Sequence, residues 1–501
     1  MLNLNRSLST LSNIKLLPYQ SATILAGKVF EKSDKDCFDV FSPINDEHIK
    51  KVPIISEKEA LIAIEECHKT QKIWARESAM TRSKIIRKMS ELLEKNQEEM
   101  AKLIHLENGK SISDALGEVN SAISGLEWYS EEAKRTNGQN ITPVKLVDNF
   151  MITYHEPIGV VGIITPWNFP LSMITRKAGA ALAAGCGTII KPSFLTPLSS
   201  IAFANICLAA NLPPELISIV TCSTREDRLI GDILTQNSMI NMFGFTGSSR
   251  VGKELYSKCS ANCKHVNLEL GGNAPFIVFE SADLASALKG LLASKFRCSG
   301  QTCISPNRLF LHSSIKNEFI HLLTDAMKEL NIAPGEDKSM APLISKEAVK
   351  RVDDLVNCSI RMGAKCLIGG DLSSVSHHKG YFYPATLLND CHESMPIVKE
   401  EIFGPVLPII EFDNDSSVIE FANRTEAGLA GYFYSNNVQQ IFSVAKEIQV
   451  GMLGINTGMI STTESPFGGV KHSGIGREGG PDCLKEFMNT KYVSICKNYS
   501  T

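Results

Sequence analysis

Between residues 83 and 104 the chain reads SKIIRKMSELLEKNQEEMAKLI, and Ile85, Met89, Leu92, Leu93, Met100 and Leu103 recur at spacings of three, four and seven. That period puts them on one helical face and predicts a helix over 81–107, closed by Asn108-Gly109. Similar patterns predict helices over 56–70 and 113–135. From residue 140 the character changes. NITPVKLVDNFMITYHEPIG carries β-branched and aromatic residues on both sides of Val147-Asp148-Asn149, the signature of a two-stranded ribbon. GVVGII follows, an unbroken apolar run bounded by Pro166 and Trp167, as in a strand buried on both faces of a parallel sheet.

The next 110 or so residues alternate. Helical patterns over 173–184, 197–210, 226–235 and from near Gly252 are each followed by a strand-like run: GTIIKPS, LISIVTC, MINMFGFTGSS and HVNLELGG. Such alternation predicts a doubly wound α/β unit. After Asn273 it restarts with APFIVFE, a long helix reaching Arg297, RLFLHSS and a helix over 315–330, which predicts a second α/β unit. APGEDKSMAPLIS and GGDLSSVSHHKGYFYP read as connectors. At 501 residues the chain is too long for one core, so two or three units sharing interfaces are expected.

Composition narrows the class. Hydrophobic residues make up 43 % and charged residues 21 %, ordinary for a globular enzyme. The net charge is −3 with both signs interspersed, so there is no basic footprint for nucleic acid. No apolar run reaches the roughly 20 residues of a membrane span. The 14 cysteines show no framework spacing, and most, as in IAFANICLAA, sit among apolar neighbours as buried thiols. There is no CxxC pair, and Cys259 and Cys263 lack an evident third and fourth ligand, so no metal is expected. The first 20 residues contain Arg6, Lys15 and three serines but no acid, a weak transit-peptide composition. A leader over 1–15 is expected, with a cytoplasmic location and a mitochondrial alternative.

FTGSSRVGKE, residues 245–254, has the glycine gap of a phosphate-binding loop, but Glu254 stands where that motif needs Ser or Thr. It reads as a turn and helix start offering N–H groups to a pyrophosphate, or as a plain strand-turn-helix. FRCSGQTCISPNR, residues 296–308, holds Cys298 and Cys303, with Gly300 interrupting a helix-like approach.

Taken in order, TPWNFP, KPS (191–193), FTGSSRVG, LELGG, GQTC, EEIFGPV (400–406) and PFGGVKHSGIGREGG (466–480) resemble the aldehyde dehydrogenase superfamily from about residue 20 onward. The resemblance implies that fold: a doubly wound nucleotide-binding domain over 16–139 and 159–273, and a second α/β catalytic domain over 274–485. A β-ribbon over 140–158 and 486–501 would complete a partner's sheet in a homodimer or homotetramer. It implies NAD or NADP as cofactor.

The implied chemistry is coherent. Aldehyde oxidation needs a soft nucleophile that forms a tetrahedral adduct, and GQTC gives that role to Cys303. Asn168 and the Cys303 backbone N–H would hold the oxyanion. Hydride passes to a nicotinamide, and Glu269 would act as general base on the thioester, with Gly271 and Gly272 allowing close approach. The cofactor set carried over is Thr165, Pro166, Trp167, Asn168, Lys191, Pro192, Ser193, Phe194, Gly247, Ser248, Gly252, Leu270, Glu401 and Phe403. Within it, Lys191 would reach the adenosine ribose, Gly247 and Ser248 the pyrophosphate, and Glu401 the nicotinamide ribose. A non-catalytic protein on this fold would be expected to lose Cys303, Glu269 or Asn168; all three are present.

The narrower likeness is to the branch acting on succinate semialdehyde, a step of 4-aminobutyrate breakdown. It rests on PWNFPLSMITRKAGAALAAGC, ASKFRCSGQTC, GLAGYFYS and GMLGINTGMIS. It implies that Arg176, Arg297 and Ser461 bind the substrate's distal carboxylate. Glutarate semialdehyde, one methylene longer, or a neutral aldehyde is the alternative. Two departures stand out. Many NAD-preferring members read KPxE, whereas this chain has Phe194 there, so repulsion of a 2′-phosphate is lost and NADP use is permitted. Several relatives carry a second cysteine two residues after the nucleophile; here it is Ser305, so that local redox switch is absent, and Cys298 reads as a buried thiol.

Overall fold

The computed structural model describes residues 22–146, 148–330, 332 and 340–496. The expected leader over 1–15 and part of the 333–345 connector lie outside the described residues.

The first half is built on a six-stranded sheet. Five of its strands are parallel: Val160–Ile164, Gly187–Lys191, Ile217–Ile219, Ile240–Thr246 and His265–Glu269. Across the sheet the third, second, first, fourth and fifth of these follow one another. The order reverses between Val160–Ile164 and Ile240–Thr246, which opens a crevice at the carboxyl ends of the strands. The sixth strand, Gly474–Ile475, returns from late in the chain and pairs antiparallel with His265–Glu269, tying the C-terminal segment to this sheet.

The second sheet has seven strands. Ala274–Val278, Pro306–His312, Thr386–Asn389, Val406–Phe412, Ala430–Tyr434 and Met452–Ile455 are parallel, and Lys365–Ile368 is an antiparallel edge. The third element is a sheet in which Met488–Cys496 pairs along the whole of Asn149–Pro157, with Asn140–Ile141 on the other side. The C-terminal strand expected over 486–501 runs from Met488 to Cys496, and 497–501 lie outside the described residues.

Several helices depart from the sequence pattern. The helix expected over 81–107 is two, Ala79–Lys95 and Gln97–Asn108. Asn96 ends the first with its side chain on the Leu92 carbonyl, and its own backbone leaves helical angles. The apolar face is still buried, because the period runs across the break. The helix near Gly252 begins earlier, at Ser249, where Ser248 caps Val251 N–H. The helix expected to reach Arg297 ends at Lys295; a tight turn follows in which Cys298 (φ 49°) and Ser299 (φ 54°) are left-handed. The helix over 172–184 contains a π turn, Thr175–Gly179. π turns concentrate at functional sites, and this one carries Arg176 and Lys177.

Candidate active site

The nucleophile loop is positioned by its neighbours. Gln301 donates to the Cys298 and Pro342 carbonyls (both 3.1 Å) and accepts from Ile344 N–H (3.0 Å). Tyr432 donates to the Ile304 carbonyl at 2.9 Å. Gly272 lies so close that a Cβ there would stand 2.4 Å from the Cys303 carbonyl oxygen, so only glycine lets the LELGG strand end pass the loop. Burial, then the charges of Glu401 and Glu269, push the Cys303 thiol up to about 12.

Asn168 is held on both sides. Its Nδ2 donates to the Gln301 carbonyl at 2.9 Å, and its Oδ1 is buried with no partner among the described residues. Its backbone carbonyl accepts from Lys110 Nζ at 2.7 Å. Lys110 is fully buried and ion-paired with Glu118, which accepts from Leu171 and Ser172 N–H (2.8 and 3.1 Å). A buried pair with its remaining lone pairs satisfied fixes geometry, and here it fixes the 168–172 turn. The sequence pattern did not single out this pair; Lys110 sits in the short connection after the Gln97–Asn108 helix and Glu118 in the helix that follows.

Glu269 closes its strand with both carboxylate oxygens buried and unpartnered among the described residues. Burial and then the Glu478 charge raise its pKa well above the ordinary carboxylate range, against Lys177, Arg477 and Arg176. Lys177 and Glu478 form a buried ion pair, and Lys177 also donates to Asn267 Oδ1 at 3.1 Å. This pair too is absent from the sequence reading; Glu478 sits inside a recognised motif, but its partner is 301 residues away.

The thiol lines a cavity of about 560 Å3. Arg176, Arg297 and Ser461 lie in the same wall, joined by Asp114, Phe169 and Phe467. Arg176 donates to Ser461 Oγ at 2.8 Å, stands 3.9 Å from Glu478 and stacks on the Phe467 ring at 4.6 Å. Arg297 lies over Phe169 and 4.0 Å from Asp114, whose other oxygen accepts from Cys298 N–H at 3.2 Å. Cys298 is buried at the foot of this group, and both cysteines are free thiols.

A second cleft, about 640 Å3, passes Ser249, Gly271, Gly272 and Glu401. Glu401 accepts from Gly272 N–H at 3.0 Å, and burial raises its pKa to about 7. Phe403 is left-handed (φ 53°) and meets Trp167 edge to face at 5.5 Å. The strand ends fit a dinucleotide. Thr165 and Thr246 each bury a hydroxyl with no partner among the described residues, one on either side of the order reversal. A Cβ on Gly247 would stand 2.5 Å from the Phe245 ring, so the turn into the Ser249–Ser260 helix needs glycine. Gly252 and Leu270, expected near the cofactor, pack on each other: a Cβ at 252 would be 2.3 Å from Leu270. Pro192 is buried, Ser193 and Phe194 are half-buried, and Ser193 Oγ caps Leu195 N–H at 3.2 Å. Lys191 is not a free cation: it is ion-paired with Asp227, which the sequence reading did not single out.

Residues 30–493 match the family model described as "Aldehyde dehydrogenase family". The chain is 42 % identical over 474 residues to the mitochondrial succinate-semialdehyde dehydrogenase of Arabidopsis thaliana, covering 94 % of this chain and 88 % of that one. It is 40 % identical to the glutarate-semialdehyde dehydrogenase of Pseudomonas putida, covering 95 % and 98 %. A crystal structure titled as an NADP-dependent enzyme of E. coli superposes with a TM-score of 0.92 at 38 % identity, covering 95 % of this chain and 98 % of that one.

Proposed function

The chain belongs to the aldehyde dehydrogenase family, an oxidoreductase acting on aldehydes with NAD or NADP, and on that premise we propose that it oxidises succinate semialdehyde to succinate. The observation that carries the substrate is the Arg176–Ser461 hydrogen bond in the same cavity wall as Arg297 and Cys303. A carboxylate at the far end of a short aldehyde would find a guanidinium already oriented by a hydroxyl, and charge-assisted bonds of this kind are the strong ones.

The residues divide the work. Cys303 attacks the carbonyl carbon as its thiolate, its proton having passed to solvent. Asn168, anchored through Gln301 and Lys110, offers its remaining amide hydrogen to the developing oxyanion. The dinucleotide, when bound, supplies the hydride acceptor. Glu269 then takes a proton from the water that hydrolyses the Cys303 thioester, releasing the acid. Its raised pKa, caused by burial and the Glu478 charge, makes it a stronger base for that proton than an ordinary carboxylate. Lys191 and the Thr165, Gly247 and Ser248 strand ends would hold the adenosine and pyrophosphate end, and Glu401 the nicotinamide ribose, beside Trp167 and Phe403.

A second reading, glutarate semialdehyde, is favoured by the cavity's size, about 560 Å3, and by Asp114, 4.0 Å from Arg297, which competes with a substrate carboxylate for that guanidinium. One methylene is worth only about 1–3 kcal/mol of discrimination. The exposed ribbon side chains Phe150, Tyr154, Tyr492 and Ile495 support a homodimer or homotetramer. Among the described residues no helix is long and apolar enough to cross a membrane; a cytoplasmic site of action, with a mitochondrial alternative, completes the reading. The test is a panel of aldehydes with and without a distal carboxylate, assayed with each dinucleotide. Preference for the four-carbon semialdehyde supports the reading, and equal or greater kcat/KM for neutral aldehydes contradicts it.

A further inference from the structure

Phe194 stands where the resemblance to KPxE members implies an acid, so the sequence next to Lys191 supplies no carboxylate. The fold restores one from elsewhere. Lys191 ends the second strand of the doubly wound sheet, next to the strand at the order reversal. In such sheets the residues at the carboxyl end of the second strand meet the adenosine ribose, where an acid accepts from the 2′-hydroxyl or a basic group accommodates a 2′-phosphate. Here the basic group is spoken for. Lys191 is 6 % exposed and ion-paired with Asp227, 50 % exposed, the first residue of the Asp227–Gln236 helix that follows the third strand. Its neighbour Glu226 places a second carboxylate on the same turn, held by Ser223 Oγ at 2.5 Å. Phe194 has no donor to offer. Of the two arginines flanking the acid, Arg228 is directed toward Glu254, 3.8 Å away.

We propose that Asp227, carried on a different strand-helix connection from the missing motif acid, is the cofactor-selecting residue of this chain and sets it to a dinucleotide with a free ribose 2′-hydroxyl. The Asp227 carboxylate accepts from that hydroxyl and orients Lys191. Against a 2′-phosphate it acts as a like charge and has already neutralised the cation that would have received it, the repulsive half of a specificity device. The inference rests on the dinucleotide-binding reading above and is independent of which aldehyde is oxidised.

Direct binding tests it, without turnover. The purified enzyme is titrated with NADH and with NADPH, following cofactor fluorescence, for the unaltered chain, Asp227→Asn and Asp227→Ser, with circular dichroism confirming the fold of each. The unaltered chain binds NADH at least about tenfold more tightly than NADPH, and both substitutions tighten NADPH and weaken NADH, narrowing the ratio about tenfold or more. Arg225→Ala, which alters the remaining cation of that turn, leaves the ratio unchanged. Equal or tighter NADPH binding by the unaltered chain, or a ratio that both Asp227 substitutions leave alone, overturns the proposal while the dinucleotide reading stands. Failure of the folded, unaltered chain to bind either cofactor overturns both.

Discussion

Arg176 reaches Ser461 across 285 positions of sequence to make a 2.8 Å hydrogen bond in the wall of the Cys303 cavity. The π turn that carries Arg176 and the loop after strand Met452–Ile455 come from different sheets, so the pair exists only once both are folded and apposed. Removing either partner should therefore act on substrate binding. Arg176→Ala raises KM for succinate semialdehyde by roughly tenfold to a hundredfold, the worth of one charge-assisted hydrogen bond, about 1.5–3 kcal/mol. Ser461→Ala gives a smaller rise in the same direction. Neutral aldehydes of similar length change little, and steady-state kinetics with both substrates checks this.

The Lys177–Glu478 pair beside Glu269 predicts opposite displacements of the pH profile. Burial and the Glu478 charge both raise the Glu269 pKa, so its base form is populated only as pH rises through that raised value. Glu478→Gln removes a raising charge and leaves Lys177 to lower it, and the acid limb of kcat moves to lower pH. Lys177→Met leaves Glu478 without its cation, and the limb moves to higher pH. That variant also strands a buried charge and loses stability, by about 3–5 kcal/mol. Profiles of kcat against pH, with thermal melts alongside, separate the two effects. Displacements of the same sign contradict the assignment.

Gly272 is a steric requirement. A Cβ there would lie 2.4 Å from the Cys303 carbonyl oxygen, a backbone atom with no room to give. Gly272→Ala displaces the nucleophile loop, and displacements of about 1 Å cost on the order of a hundredfold in kcat. The Gly272 N–H also holds Glu401 in the second cleft, so cofactor binding weakens alongside, while the secondary structure stays that of the unaltered chain. Fluorescence titration and single-turnover kinetics distinguish this outcome from general unfolding.

Lys295 is buried at the end of its helix with no hydrogen-bond partner for Nζ among the described residues, and burial lowers its pKa to about 7. A lowered folded pKa means that the unfolded chain binds the proton more tightly, so stability rises with pH from about 7 toward the ordinary lysine range. Lys295→Met, which keeps the volume and removes the charge, raises the melting temperature at neutral pH. The gain shrinks as the pH is raised. Melts across that range check both signs.

Much of the fold was legible from local pattern. The apolar run Val160–Ile164 and the alternation after it specify buried parallel strands, and the ordered motifs place Cys303, Glu269 and Asn168 at strand ends and loops. What stayed hidden is pairing at long range. Nothing near Lys191 announces Asp227, nothing near Asn168 announces Lys110 and Glu118, and Lys177 looks like one more helical lysine until Glu478 is folded against it. The break at Asn96 was hidden for another reason: the apolar period runs through it unchanged, and only the side chain's bond to Leu92 shows where the first helix stops.

The most direct test of the account is to stop the reaction on the nucleophile. Glu269→Gln should still form the Cys303 adduct and reduce one equivalent of cofactor, but hydrolyse the thioester slowly. Rapid quenching after mixing with succinate semialdehyde and NAD, followed by mass spectrometry of the peptide spanning 296–308, predicts a succinyl group on Cys303, an unmodified Cys298 and a matching burst of reduced cofactor. A succinyl group on Cys298, or a burst with no adduct on this peptide, would contradict the account.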